Sequence, residues 1–167
     1  IRSLRLRLRI RDARQLLKSI DLKHLQQLDL QFYETGLSLS FLPEITQQRY
    51  FQTLQKEIQF FVTETYLPQL SQLTLSNIQL FGLDWNDFFK WPQLSTLQSL
   101  QMIHHLGWEE KGLGALLHSP RLKKVKRLCL SCFIDGRSSL ALANAKSFSS
   151  LQELLLNTPE IRRDHVE

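Results

Sequence analysis

Leu122–Phe133 reads LKKVKRLCLSCF, and the spacing of its apolar residues decides the fold. Leucine or valine stands at 122, 125, 128 and 130, so the steps run three, three, then two. A helix would hold a period near 3.6 and a strand a period of 2 throughout. A change of step partway predicts a turn of chain that sends residues to a core and then passes into a short strand facing that core.

The same spacing recurs. L-x-x-L-x-x-L-x-L appears at Leu22, Leu25, Leu28 and Leu30; at Leu67, Leu70, Leu73 and Leu75; and at Leu94, Leu97, Leu100 and Met102. A further copy uses Phe148, Leu151, Leu154 and Leu156, and a partial one opens the chain with Ile1, Leu4 and Leu6. The third apolar position therefore falls at 4, 28, 73, 100, 128 and 154, with steps of 24, 45, 27, 28 and 26. One such unit is too small to bury its own leucines. Stacking lets each unit cover the last, with the L-x-L strands paired side by side in a parallel sheet.

Between strands the period turns helical. Asp12–Ser19 (DARQLLKS), Asp84–Lys90 (DWNDFFK), Glu109–His118 (EEKGLGALLH) and Arg137–Ala145 (RSSLALANA) each place apolar residues on one helical face. Glu109 and Glu110 at the start and His118 at the end of the third suit the helix dipole. Pro68, Pro92 and Pro120 stop the preceding helices. The step of 45 holds an insertion, Phe41–Tyr66, whose Ile45, Tyr50, Phe51, Leu54, Ile58, Phe61 and Val62 describe an amphipathic helix. It is read as an enlarged packing helix or as a docking element. The expected fold class is α/β: about six units in one array over 1–167, with a helical insertion at 41–66.

In "GLGALLHSPRLKKVKRLCLS" (112–131) and "SSLALANAKSFSSLQELLLN" (138–157) the chain resembles the leucine-rich repeat family, in its ribonuclease-inhibitor-like form. The resemblance implies a solenoid with a curved parallel sheet on the concave side and helices on the convex side. It implies recognition of macromolecules, mostly proteins, through the concave face, and no shared catalytic chemistry. Such arrays are commonly arms of longer proteins, which matches a chain that opens on Ile1. The family's asparagine or cysteine three residues after the last strand leucine is replaced here by Tyr33, Ile78, His105, Phe133 and Pro159, so irregular turns are expected.

With the strand leucines inward, the alternate residues face the concave side. They are Arg5 and Arg7, with Ser3 ahead of them in the same row; Gln27, Asp29 and Gln31; Gln72, Thr74 and Ser76; Ser99, Gln101 and Ile103; Arg127, Cys129 and Ser131; Glu153, Leu155 and Asn157. The partner-binding set drawn from them is Gln27, Asp29, Gln31, Gln72, Thr74, Ser76, Ser99, Gln101, Arg127, Glu153 and Asn157. A protein partner is expected. The alternative is nucleic acid, held by two basic patches: Arg5, Arg7 and Arg9 within residues 2–14, and Lys123, Lys124 and Lys126 within 121–127. No aromatic residue interleaves the arginines of the first patch, so base stacking has no support there.

The remaining chemistry is sparse. Cys129-Leu-Ser-Cys132 is a lone C-x-x-C in a strand, without the further ligands zinc needs or the helix N-terminus that activates a thiol. His104 and His105 are adjacent and, on a strand, point to opposite faces. No G-x-S-x-G, H-E-x-x-H or Walker-type loop is present. Neither catalytic residues nor a metal or cofactor is expected. No apolar run reaches membrane-spanning length. Two cysteines in 167 residues form no disulfide scaffold, which points to the cytoplasm. The net charge of +5 is mildly basic and partly concentrated in Arg2, Arg5, Arg7, Arg9, Arg11 and Arg14.

Overall fold

In the computed structural model the described residues are 1–8, 12, 15, 19, 21–32, 43, 46, 52, 56, 65–76, 85–103, 110–131 and 136–157. They form an α/β fold around a six-stranded sheet: β1 Ser3–Leu8, β2 Gln27–Phe32, β3 Gln72–Ser76, β4 Ser99–Ile103, β5 Arg127–Leu130 and β6 Glu153–Leu156. Spatial order follows chain order and every pairing is parallel. Parallel neighbours need crossover connections, and right-handed crossovers that always step the same way lie on one face of the sheet.

The covered face is set by the leucines. Leu28, Leu30, Leu73, Leu75, Leu100, Met102, Leu128 and Leu130 are buried in one cluster with Trp85, Phe88, Phe89, Leu113, Leu116 and Leu117. Burial of each such side chain stabilises the fold by about 1.5–3 kcal/mol. Trp85, Phe88 and Phe89 come from a short helix, α1 Trp85–Phe89, and Leu113, Leu116 and Leu117 from a second, α2 Glu110–Leu117; a third, α3 Gly136–Ala143, adds Leu142. In α1 the residues at i, i+3 and i+4 give one apolar face, and the Trp85 and Phe89 rings stack at 5.9 Å. Pro92 lacks the N–H that would extend α1 and instead opens a 3-10 turn, Pro92–Thr96. The Asn144 side-chain amide donates to the Leu140 carbonyl at 2.9 Å where α3 ends.

The threefold steps have a simple cause. The N–H of each second apolar residue donates to the carbonyl of the first, three residues back. The pairs are Leu25 to Leu22, Leu70 to Leu67, Leu97 to Leu94, Val125 to Leu122 and Leu151 to Phe148, at 3.0–3.2 Å. A tight turn thus delivers two apolar side chains to the core before the strand begins. A second bond set joins neighbours. One carbonyl at each strand entrance (Arg2, Gln26, Ser71, Gln98 and Lys126) accepts two successive N–H groups from the next strand's entrance.

Three helical expectations agree in place with α1, α2 and α3, shifted by a residue or two at their ends. Of Asp12–Ser19, the described Asp12, Gln15 and Ser19 are helical; of 41–66, so are Thr46, Gln52 and Lys56. Pro43, Thr65 and Tyr66 are described and not helical, and the rest of both segments lies outside the described residues. The 3-10 turns Pro92–Thr96 and Lys146–Phe148 were not expected; the proline stops α1 but also starts the first of them.

One core expectation is overturned. Leu154 and Leu156 belong to the leucine pattern but are 39% and 40% exposed, where Leu100 and Met102 are 0%. Their strand is the last in the sheet, so among the described residues nothing follows to cover them.

Candidate interaction face

Alternation along each strand leaves the second face of the sheet without leucines on β2 to β4. In-register pairing arranges that face in rows. Ser3, Gln27, Gln72, Ser99, Arg127 and Glu153 form one; Arg5, Asp29, Thr74, Gln101, Cys129 and Leu155 the next. Over β1 to β4 the face encloses a hollow of about 630 Å³.

The structure brings most of the expected partner-binding set to this hollow: Gln27, Asp29, Gln31, Gln72, Thr74, Ser76 and Gln101 line it, with Ser3, Arg5 and Ile103. Ser99, Arg127, Glu153 and Asn157 do not line it. Ser76 is 8% exposed, so its hydroxyl is a recessed part of the wall and not a projecting contact. Ser3 and Ile103 were outside the selected set, although the alternation along β1 and β4 already placed both on this face.

Charge on the face is locally neutralised. Arg5 Nε lies 2.6 Å from Asp29 Oδ2, its in-register neighbour on β2. Arg127 Nε lies 2.9 Å from Glu153 Oε2, its neighbour on β6. Both pairs are solvent-exposed and contribute little to stability. Between them, β3 and β4 present only neutral groups: the Gln72 and Gln101 carboxamides, the Thr74, Ser76 and Ser99 hydroxyls, and Ile103. Each carboxamide both donates and accepts, and each hydroxyl can do either. Such a surface suits peptide groups and neutral side chains better than phosphates.

The two basic patches are far apart. Arg5 and Arg7 are on β1, while Lys123, Lys124 and Lys126 are exposed on the turn that enters β5. Three strands intervene, so the separation is roughly 19 Å at about 4.8 Å per strand. Arg9 lies outside the described residues.

The Cys129 thiol is buried on β5, and burial pushes its pKa up, with the negative charge of Glu153 adding to the shift. A thiol held protonated is a poor nucleophile and a poor ligand. Cys132, His104 and His105 lie outside the described residues. His118 is exposed, with Nδ1 2.7 Å from the Gly114 carbonyl oxygen. Among the described residues no three His, Cys, Asp or Glu side chains are grouped to hold a metal, and no helix is long and apolar enough to cross a membrane. Comparison of the chain with protein-family models, with curated proteins and with solved structures finds no match.

Proposed function

We propose that the chain is a non-catalytic interaction module that binds a protein through the open face of its sheet. In this reading the stacked units form a leucine-rich repeat solenoid of the ribonuclease-inhibitor-like kind, acting in the cytoplasm as an arm of a larger assembly. The observation that carries the proposal is the hollow over β1 to β4, whose lining is mostly carboxamides and hydroxyls with the Arg5–Asp29 pair at one side. The covered face holds the fold together, whereas the open face is free of that task. Its polar groups stand in fixed rows, with neighbours in a row about 4.8 Å apart, a spacing at which an extended or loop-presented segment of a partner can meet several at once.

Nucleic acid is the second reading, and one observation favours it: Lys123, Lys124 and Lys126 are exposed on a single turn. The arginine–carboxylate pairing on the sheet and the distance between the patches count against it.

The test is affinity capture from a cell lysate at two salt concentrations, with nuclease-treated controls, comparing the native chain with Thr74→Arg and Gln101→Trp. The expected result is a protein retained at the higher salt by the native chain and lost by both substituted, still folded chains. Retention by both variants would remove the open face as the site. Capture of nucleic acid that disappears as salt rises would favour the lysine turn instead.

A further inference from the structure

The turn that enters β5 differs in charge from the turns on either side of it. Arg121, Lys123, Lys124 and Lys126 are exposed there, and Lys146 is exposed where the chain begins its turn into β6. The corresponding residues of the turn into β4 are Gln93, Ser95, Thr96 and Gln98, and those of the turn into β6 are Ser147, Ser149, Ser150 and Gln152, all neutral. Among the described residues none of the five cations pairs with a carboxylate. The Glu153 carboxylate, at the entrance of β6, is taken by Arg127. Nor are the cations needed to close helix ends, since the Phe89 and Leu117 carbonyls of α1 and α2 accept from the Ser119 and Ser147 hydroxyls.

The backbone beneath these side chains is fixed. Leu122 and Val125 are fully buried, and the Val125 N–H donates to the Leu122 carbonyl. The Lys126 and Arg127 N–H groups donate to the Gln98 carbonyl, and the Lys126 carbonyl accepts from Gln152 and Glu153. The turn is thus held by the units on both sides. The same rim carries an exposed aromatic ring. Tyr66 stands immediately before Leu67, as Arg121 stands before Leu122, and it is 70% exposed. Only β4 lies between β3 and β5, so the two positions are roughly 10 Å apart at about 4.8 Å per strand. A ring beside unpaired cations offers a base a stacking surface and its phosphates opposite charge. No large aliphatic side chain is exposed among the described residues of these turns, so the rim has nothing to bury in a lipid surface.

We infer, resting on the nucleic-acid reading above, that the strand-entrance rim from Tyr66 to Lys146 is a second site, apart from the open face, which binds single-stranded nucleic acid. Tyr66 stacks on one base, and Arg121, Lys123, Lys124, Lys126 and Lys146 meet phosphates. The site leaves out the β1 arginines, and with them the three strands that one ligand would have to cross. A single strand fits better than a duplex, because stacking on Tyr66 needs an unpaired base. Recognition of this kind tolerates many sequences, since every base has a face to stack.

The probe is a short fluorescein-labelled oligothymidylate, read by anisotropy over a series of salt concentrations. The full chain is expected to bind it saturably and more tightly than a duplex of the same length. K123Q/K124Q, two substitutions at exposed positions, is expected to weaken binding about tenfold or more and to make the salt dependence shallower by roughly 1.4 in log–log slope, at about 0.7 per phosphate contact. Tyr66→Ala is expected to weaken binding about fivefold or more with the slope unchanged, and Tyr66→Trp to restore it. Circular dichroism spectra of the three variants should match that of the native chain. Absence of binding, equal binding by K123Q/K124Q, or no loss in Tyr66→Ala would overturn the inference. Tighter binding of polyglutamate, or of phosphatidylserine vesicles, than of oligothymidylate would also overturn it, in favour of an acidic protein or a membrane surface. K123Q/K124Q is expected to keep any protein partner captured through the open face, so the two sites fail independently.

Discussion

The Ser119 hydroxyl donates to the Phe89 carbonyl at 2.8 Å, thirty residues earlier and at the end of α1. Ser147 does the same to Leu117, thirty residues earlier and at the end of α2, at 2.5 Å. Both serines are buried. A helix ends with carbonyls that have no partner inside it, and each serine supplies one from the next unit. Ser119→Ala and Ser147→Ala should each cost about 1–2 kcal/mol, since each leaves a buried acceptor short of a donor. Urea unfolding of the two variants and of their double, with the costs adding, checks this.

Leucines at matching pattern positions should differ widely in their worth. Leu100→Ala opens a cavity at a fully buried site and should destabilise by about 2–5 kcal/mol. Leu154→Ala, on the open edge, should cost well under half of that. Denaturant midpoints for the pair measure the difference, and equal losses would contradict the exposed placement of β6.

The Arg127–Glu153 pair should contribute less than about 1 kcal/mol, because both side chains are largely in solvent. A double-mutant cycle with Arg127→Gln and Glu153→Gln should give a small coupling that shrinks as salt is added.

The Cys129 thiol should make stability fall at alkaline pH. Its pKa is raised in the folded chain, so above the ordinary thiol value of about 8.5 the unfolded chain loses a proton that the folded chain keeps. Proton release then favours unfolding. Urea unfolding between pH 7 and pH 10 should show a steeper alkaline loss for the native chain than for Cys129→Ala.

The strands were legible because their signal is doubled. A change of step from three to two locates the entrance, and recurrence fixes the register, so Leu28, Leu73, Leu100 and Leu128 could be aligned before any coordinates. The rows of the open face followed from alternation alone, which is why Gln72, Thr74 and Gln101 were found together. The limits of the hollow were not legible, since which rows enclose space depends on the path of the sheet through four strands. The exposure of Leu154 also escaped the pattern: a leucine states what it needs covered, not whether a neighbour is there. The serine-to-carbonyl bonds were hidden because serine is common in turns and its partner lies thirty residues away.

Consecutive strands are joined by very unequal lengths of chain: 24 residues separate Ser3 from Gln27, and 45 separate Gln27 from Gln72. Yet both steps close with the same pair of bonds, onto Arg2 in one case and Gln26 in the other. Alignment is written at the strand entrances and is indifferent to the detour between them. The region between β2 and β3 is therefore a natural place to splice in foreign sequence, such as a reporter or a tether, while the order of side chains on the open face stays as it is.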